Sequence, residues 1–352
     1  MYFQEISSEK ELSKMELNRL VIQTIIVVIL LIVIAVVAVY CNPFLVAMLV
    51  RKVFDKPASI PPKELGIGGN TQMLENFSYG EGKRQVMDIY LPKEENGQCP
   101  VILWVHGGAF VGGDKRDVMY FAKALADEGY AVVAMNYTLA PEAKYPTPIL
   151  QVGEVYAFLK SGEFAYKERL NMKNFFIAGD SAGAHIATQF ALLQTNEKYR
   201  ENFQEKARFK KAFELLPEDT FKGVLLYCGP YELGKIENIT NKVLKFIMGQ
   251  TGWAYFGEKN FTVGEMVSEI DIPRNITKAF PPTFITDGNI MSFPEHAKVL
   301  EEKLKQKAVP VKSLFFDKEE PVYHEFQFEM SKEESIEALE ATITFLKQYQ
   351  GL

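Results

Sequence analysis

From Val86 to the C-terminus, short apolar runs alternate with apolar positions at helical spacing. The runs Val86–Leu91, Val101–Val105, Ala131–Met135, Phe175–Ala178, Gly223–Tyr227, Thr283–Thr286 and Val311–Phe316 are each short and rich in branched or aromatic side chains. Each therefore predicts a strand. Between them, Val118, Phe121 and Leu125 recur on one helical face, and Gly129 follows as a terminator. Residues 148–160 predict a helix that opens on a proline. Ile336, Leu339, Ile343 and Leu346 mark the apolar face of a last helix. Strands alternating with helices predict an α/β fold, a mostly parallel central sheet flanked by helices.

The first fifty residues follow a different pattern. A polar segment, 1–19, precedes a stretch from Leu20 to Val50 with no charged residue. About twenty apolar residues cross a bilayer as a helix, so 20–50 predicts a transmembrane anchor with a juxtamembrane segment after Asn42-Pro43. A cleaved signal peptide fits less well: the apolar region is long, and no small-residue cleavage site follows it. Lys10, Lys14 and Arg19 before the span nearly balance Arg51, Lys52 and Lys56 after it. A long following domain translocates largely regardless of charge, so a single-pass cell-membrane protein with an outward catalytic domain is the expectation. Residues 51–75, with Pro57, Pro61, Pro62 and a glycine cluster, read as a linker to a domain over 76–352.

Two segments interrupt the strand–helix alternation. Residues 194–221 are highly charged with interspersed Tyr199, Phe203, Phe209 and Phe213, which predicts a surface amphipathic helix. Residues 231–280 carry Phe246, Trp253, Tyr255, Phe256 and Phe261 and read as a lid insertion walling an apolar pocket; packing of the insertion onto the domain explains any one of these rings equally well.

Composition narrows the function. A net charge of −6 over 352 residues, without a basic block, excludes a nucleic-acid partner. Cys41, Cys99 and Cys228 are too scattered for a disulfide framework or a zinc site, and are expected to be free thiols. Oligomeric state is not legible.

The chemistry concentrates in two places. Gly179-Asp180-Ser181-Ala182-Gly183 follows a predicted strand and opens a helix rich in small residues. A serine there sits on a tight turn that lifts its hydroxyl above the sheet edge. About seventy-five residues earlier, the strand Val101–Val105 ends in His106-Gly107-Gly108-Ala109. Glycines after a strand allow backbone N–H groups to approach a developing oxyanion. Gly107, Gly108 and Ala182 are the expected donors.

These segments, with Asn136–Pro146 and His324-Glu-Phe-Gln327, resemble the hormone-sensitive-lipase-like carboxylesterase group of the α/β-hydrolases. The resemblance covers roughly residues 75 to 350. It implies an α/β-hydrolase fold and a Ser-His-acid esterase without a cofactor or metal, acting on a small-molecule ester or lipid. Ser181 is the nucleophile. His324, after the last strand, is the base, with His296 the fallback; His106 belongs to the oxyanion loop and His185 to the helix behind the serine.

The acid departs from the family's pattern. Met291 stands where the aspartate after the seventh strand belongs, so Asp287 at the strand end is the first choice, with Glu295 and Glu232 behind it. Asp180 is expected to fix the turn. Asp114, Tyr137 and Glu142 are expected to tie neighbouring loops together. Two other readings stay open: a peptidase on the same fold, and a catalytically weak binding or sensing protein that keeps the hydrolase shell.

Overall fold

The structure, a computed structural model, describes residues 2–55, 57–94, 97–206, 214–317 and 319–351. The chain divides into two units at Ala47. The first is dominated by α1 (Tyr2–Cys41), whose segment Lys14–Cys41 is long and apolar enough to cross a membrane, with no residue of its most apolar stretch buried. α2 (Pro43–Phe54) follows after Asn42.

The second unit is built on eight strands: β1 (Thr71–Ser78), β2 (Val86–Pro92), β3 (Cys99–Val105), β4 (Ala131–Met135), β5 (Leu170–Asp180), β6 (Phe221–Tyr227), β7 (Thr283–Asp287) and β8 (Val311–Phe315). Their order in the sheet is β1-β2-β4-β3-β5-β6-β7-β8. β1, β2 and β4 pair antiparallel, and every later pairing is parallel. The central strands β3, β4 and β5 read as continuous apolar runs because helices cover both faces of a parallel sheet. Those helices are α3 (Met119–Asp127), α4 (Thr147–Lys160), α5 (Ala182–Thr195), α6 (Glu197–Lys206), α7 (Lys242–Phe256), α8 (Val267–Ile270), α9 (Ile272–Asn275), α10 (Pro294–Gln306) and α11 (Glu333–Tyr349).

Three expectations change. The linker 51–75 is partly structured: α2 runs to Phe54, and β1 begins at Thr71. β1 escapes a hydrophobicity reading because it is an edge strand, largely exposed, with no apolar run. On α11 the deepest residues are Ala338, Thr342, Phe345 and Leu346, while Ile336, Leu339 and Ile343 flank them half-buried. Small Ala338 and Thr342 let the helix close on the sheet, where the Tyr227 and Thr342 hydroxyls hydrogen-bond at 2.7 Å and Phe345 packs on Phe284. Third, Tyr255, Phe256 and Phe261 of the 231–280 insertion pack inward, while Phe246 and Trp253 are half-buried. Tyr255 stacks on Phe110 at 4.2 Å and Phe256 on Phe261 at 4.9 Å, so they anchor the insertion. In the 194–221 segment α6 buries Tyr199 and Phe203 as expected; Phe209 and Phe213 lie outside the described residues. Cys99 and Cys228 are buried free thiols and Cys41 an exposed one.

Candidate active site

β5 delivers Ser181 to the C-terminal edge of the sheet, and α5 starts one residue later. Ser181 takes φ 49° and ψ −120°, a conformation that L-residues avoid and that the surrounding packing must enforce. Its N–H donates to the Tyr227 carbonyl at 2.8 Å. Gly183 makes the turn possible: a methyl group there would overlap the Val105 carbonyl, so α5 can lie against β3 only with glycine at this position. Ser181 is buried, only 6% exposed.

His324 comes from the loop between β8 and α11. Backbone hydrogen bonds stitch that loop to the one after β7: His324 N–H to the Ile290 carbonyl (3.0 Å), and Asn289 and Ile290 N–H to the Val322 carbonyl (2.8 and 2.9 Å). This seam places the imidazole Nε2 2.9 Å from Ser181 Oγ. Burial holds the imidazole well below its ordinary range, at about 4, so it is neutral at physiological pH.

Asp287 is brought to the site, but not against the imidazole. A carboxylate oxygen lies within 4.8 Å of a ring nitrogen and makes no hydrogen bond to it. Ser292 stands between them. Its hydroxyl is 2.8 Å from His324 Nδ1 and donates a short hydrogen bond to Asp287 Oδ1, which also accepts from Phe293 N–H at 3.4 Å. Sequence reasoning missed Ser292 because it looked for a carboxylate; its one signal is that it follows Met291 directly. Met291 has φ 53° and its sulfur accepts from Asn241 Nδ2 at 2.9 Å, so the left-handed turn sends the methionine outward and the next residue inward. Burial pushes the Asp287 carboxyl up, to about 8. Glu295 is exposed and Glu232 pairs with Lys235, so neither runner-up reaches His324. His296 accepts from Glu232 N–H at 3.2 Å, and His185 binds the Pro230 carbonyl at 3.0 Å; both are structural.

The oxyanion loop also differs from the expectation in one residue. Gly107 N–H donates to Asp180 Oδ2 at 2.7 Å and is therefore unavailable to a substrate. Gly108, Ala109 and Ala182 N–H groups donate to no protein acceptor among the described residues. Gly108, Ala109 and Phe110 all have positive φ, which turns the loop back over the site. Ala109 was not anticipated; its place as the last residue of the HGGA run is the signal. Asp180 also accepts from Trp104 Nε1 at 2.7 Å, so it clamps the loop to β3. Tyr137 supports the loop from behind, its hydroxyl 3.2 Å from the His106 carbonyl and its ring stacked on His106 at 4.5 Å. Asp114 bonds Asn136 Nδ2 at 2.8 Å, and Glu142 holds Arg51 at 2.7 Å. All three loop residues are ties, as expected.

Glu325 occupies the second position of the His-Glu-Phe run in a left-handed conformation, φ 59°. Its carboxyl touches the oxyanion loop and pairs with Asp180. Asp180 already accepts two N–H donors, so the proton of the pair resides on Glu325, whose carboxyl is held far above its ordinary range by burial and by Asp180. A cavity of about 730 Å³ adjoins the site, lined by Gly107, Gly108, His324, Phe326, Val53 and Phe54 among others. The lid insertion contributes nothing to this lining; α2 and the 321–334 segment take the place assigned to it.

Cys228, Asp287 and His324 are the one group of potential metal donors gathered among the described residues. The imidazole Nδ1 and the Asp287 carboxylate are already joined through Ser292, so the hydrogen-bond chain accounts for the cluster.

The BD-FAE family model matches residues 87–304, more than half of the chain. The chain belongs to the BD-FAE family. Its fold is that of the hormone-sensitive-lipase-like α/β-hydrolases, as the motifs implied. It is similar to the kynurenine formamidase of Salmo salar, 29% identical over 42% of this chain and 49% of that one. It is also similar to a probable carboxylic ester hydrolase of Mycobacterium tuberculosis, 30% identical over 37% of this chain and 31% of that one. The chain thus spans about half, or less, of the curated relatives it matches. Among solved structures, esterase B from Lactobacillus rhamnosis superposes with a TM-score of 0.66 at 20% identity, covering 80% of this chain and 88% of that one. A thermophilic carboxylesterase from a metagenomic library gives 0.62 at 17% identity, over 88% and 98%. These superpositions establish a shared fold.

Proposed function

We propose that this BD-FAE family member is a membrane-anchored serine hydrolase that cleaves carboxylic esters through an acyl-enzyme on Ser181. The observation that carries the reading is the 2.9 Å approach of His324 Nε2 to Ser181 Oγ, on a strained turn facing free backbone donors. In acylation the Ser181 Oγ–carbonyl bond forms as its proton passes to His324 Nε2. The N–H groups of Gly108, Ala109 and Ala182 then hold the oxyanion. The imidazolium returns the proton to the leaving alkoxide, and water repeats the sequence to release the acid. Asp287, when ionised, supplies the negative charge at the far end of the imidazole. No cofactor or metal takes part.

The substrate class is a small-molecule ester or lipid, in keeping with the apolar residues Val53, Phe54 and Phe326 of the adjoining cavity. The apolar helix Lys14–Cys41 supports a bilayer anchor; an extracytoplasmic catalytic unit is part of the proposal, because a long domain after a span translocates largely regardless of charge. The binding-protein reading gains nothing from the site: an intact Ser181–His324 pair is what hydrolysis needs and what binding alone does not.

The test is hydrolysis of p-nitrophenyl esters from acetate to palmitate. Wild-type protein should turn over at least one chain length, and Ser181→Ala should lose on the order of 10⁴–10⁶ in turnover. An alanine variant that keeps more than a tenth of the activity would remove Ser181 from the mechanism.

A further inference from the structure

We propose that Ser292 is a positioning residue that relays the Asp287 charge to His324 and sets which imidazole nitrogen carries the proton. The inference rests on the serine-hydrolase reading above and concerns the half of the site that departs from the family's direct acid–histidine contact.

The directions of the hydrogen bonds follow from what each group can do. An ionised carboxylate only accepts, so the short contact between Ser292 Oγ and Asp287 Oδ1 spends the serine's single hydrogen on Asp287. Ser292 Oγ is then left with lone pairs alone for His324 Nδ1, 2.8 Å away. Nδ1 must therefore be the protonated nitrogen. That leaves Nε2 with its lone pair facing Ser181, which is the tautomer a general base requires. The chain reads Ser181 O–H to Nε2, Nδ1–H to Ser292 Oγ, Ser292 O–H to Asp287. No proton leaves Ser292; its hydroxyl only fixes orientation, and its dipole turns the Asp287 charge toward the imidazolium as it forms.

The same logic predicts failure when Asp287 is neutral. A protonated Asp287 can donate to Ser292, freeing the serine hydrogen for Nδ1. That would place the ring proton on Nε2 and disable the base. The groups facing Asp287 from the surrounding elements are Cys228 at the end of β6, Tyr231 beyond it, Glu295 at the start of α10 and His324 itself. Among these, only the imidazole can carry a positive charge. The relay hydroxyl is thus the link between the state of this uncompensated carboxyl and the base.

A serial relay has a distinctive signature: breaking either link costs about as much as breaking both. Ser292 is half-buried, so Ser292→Ala removes a hydroxyl without opening a core cavity. The experiment measures kcat and KM on p-nitrophenyl butyrate for Ser292→Ala, Asp287→Asn, the double variant and Ser292→Thr. Each single variant should lose on the order of 10³–10⁴ in kcat with KM little changed, as expected when the histidine tautomer is wrong. The double variant should be no worse than the singles, and Ser292→Thr, which restores the hydroxyl, should recover at least about tenfold over Ser292→Ala. Near-wild-type kcat in Ser292→Ala, or losses that multiply in the double variant, would overturn the relay. Labelling of Ser181 by a fluorophosphonate in wild-type protein separates that outcome from failure of the hydrolase reading itself.

Discussion

His324 Nε2 and Ser181 Oγ lie 2.9 Å apart although 143 residues separate them in the chain. The contact depends on the seam between the loops after β7 and β8, and that seam also delivers Ser292 to the other face of the ring. The seam therefore sets both His324 and Ser292, while the β5–α5 turn independently sets Ser181.

The pH dependence of activity follows from Asp287. Its carboxyl is pushed up to about 8, whereas the imidazole is already neutral above about 4. The relay needs the carboxylate, so kcat/KM should rise with pH along a limb centred near 8. Asp287→Asn should lack this limb. A limb centred near 6 to 7 that persists in Asp287→Asn would assign it to the imidazole instead.

Stability should show a slope of its own from Glu325. Its folded carboxyl holds a proton far above the ordinary range of about 4.5, so between that value and its folded pKa the native state binds more protons than the unfolded chain. Stability from this group is complete at acid pH and is lost as pH rises from about 4.5 upward. Urea denaturation across pH 4 to 8 should show this fall, and Glu325→Gln should flatten it. An unchanged slope in the glutamine variant would place the shared proton elsewhere.

Gly183 tests the nucleophile turn. A side chain there meets the carbonyls of Val105 and His106, and backbone cannot move aside as a flexible side chain can. Gly183→Val should cost about 3 kcal/mol or more in urea unfolding and abolish activity. A stable, active variant would contradict the packing of α5 on β3.

The N-terminal helix can be removed only so far. Deleting residues 1–42 should release a detergent-dependent protein into the soluble fraction with short-ester activity intact. Deletion through Asp55 should instead destabilise it. Arg51 bonds the Val111 and Ala140 carbonyls at 2.7 and 2.9 Å and holds Glu142, and Ala47 and Val50 are buried. Full-length protein found entirely in the soluble fraction without detergent would exclude the anchor.

The sheet was legible wherever a strand is buried on both faces, because such strands spell continuous apolar runs. Thr71–Ser78 was not, since an edge strand needs no such run. The Ser181–His324 pairing was legible because the glycine-flanked serine after a strand and the late His-Glu-Phe run each mark a fixed place in the strand–helix order. The acid end was only half legible: Asp287 was found, but a hydroxyl that bridges has no compositional signature, and Met291 hid the outward turn that brings Ser292 in. Gly107 was misassigned for a related reason, as a glycine's N–H reads the same in sequence whether it faces a substrate or Asp180.

The most direct measurement is active-site mapping. Purified protein is treated with a fluorophosphonate, digested, and the modified peptide located by mass spectrometry, beside Ser181→Ala with the same melting temperature. The account predicts one adduct, on the peptide containing Ser181, formed in parallel with loss of p-nitrophenyl ester hydrolysis and absent from the alanine variant. A folded wild-type protein that carries no adduct at Ser181, or that loses esterase activity through an adduct elsewhere, would contradict it.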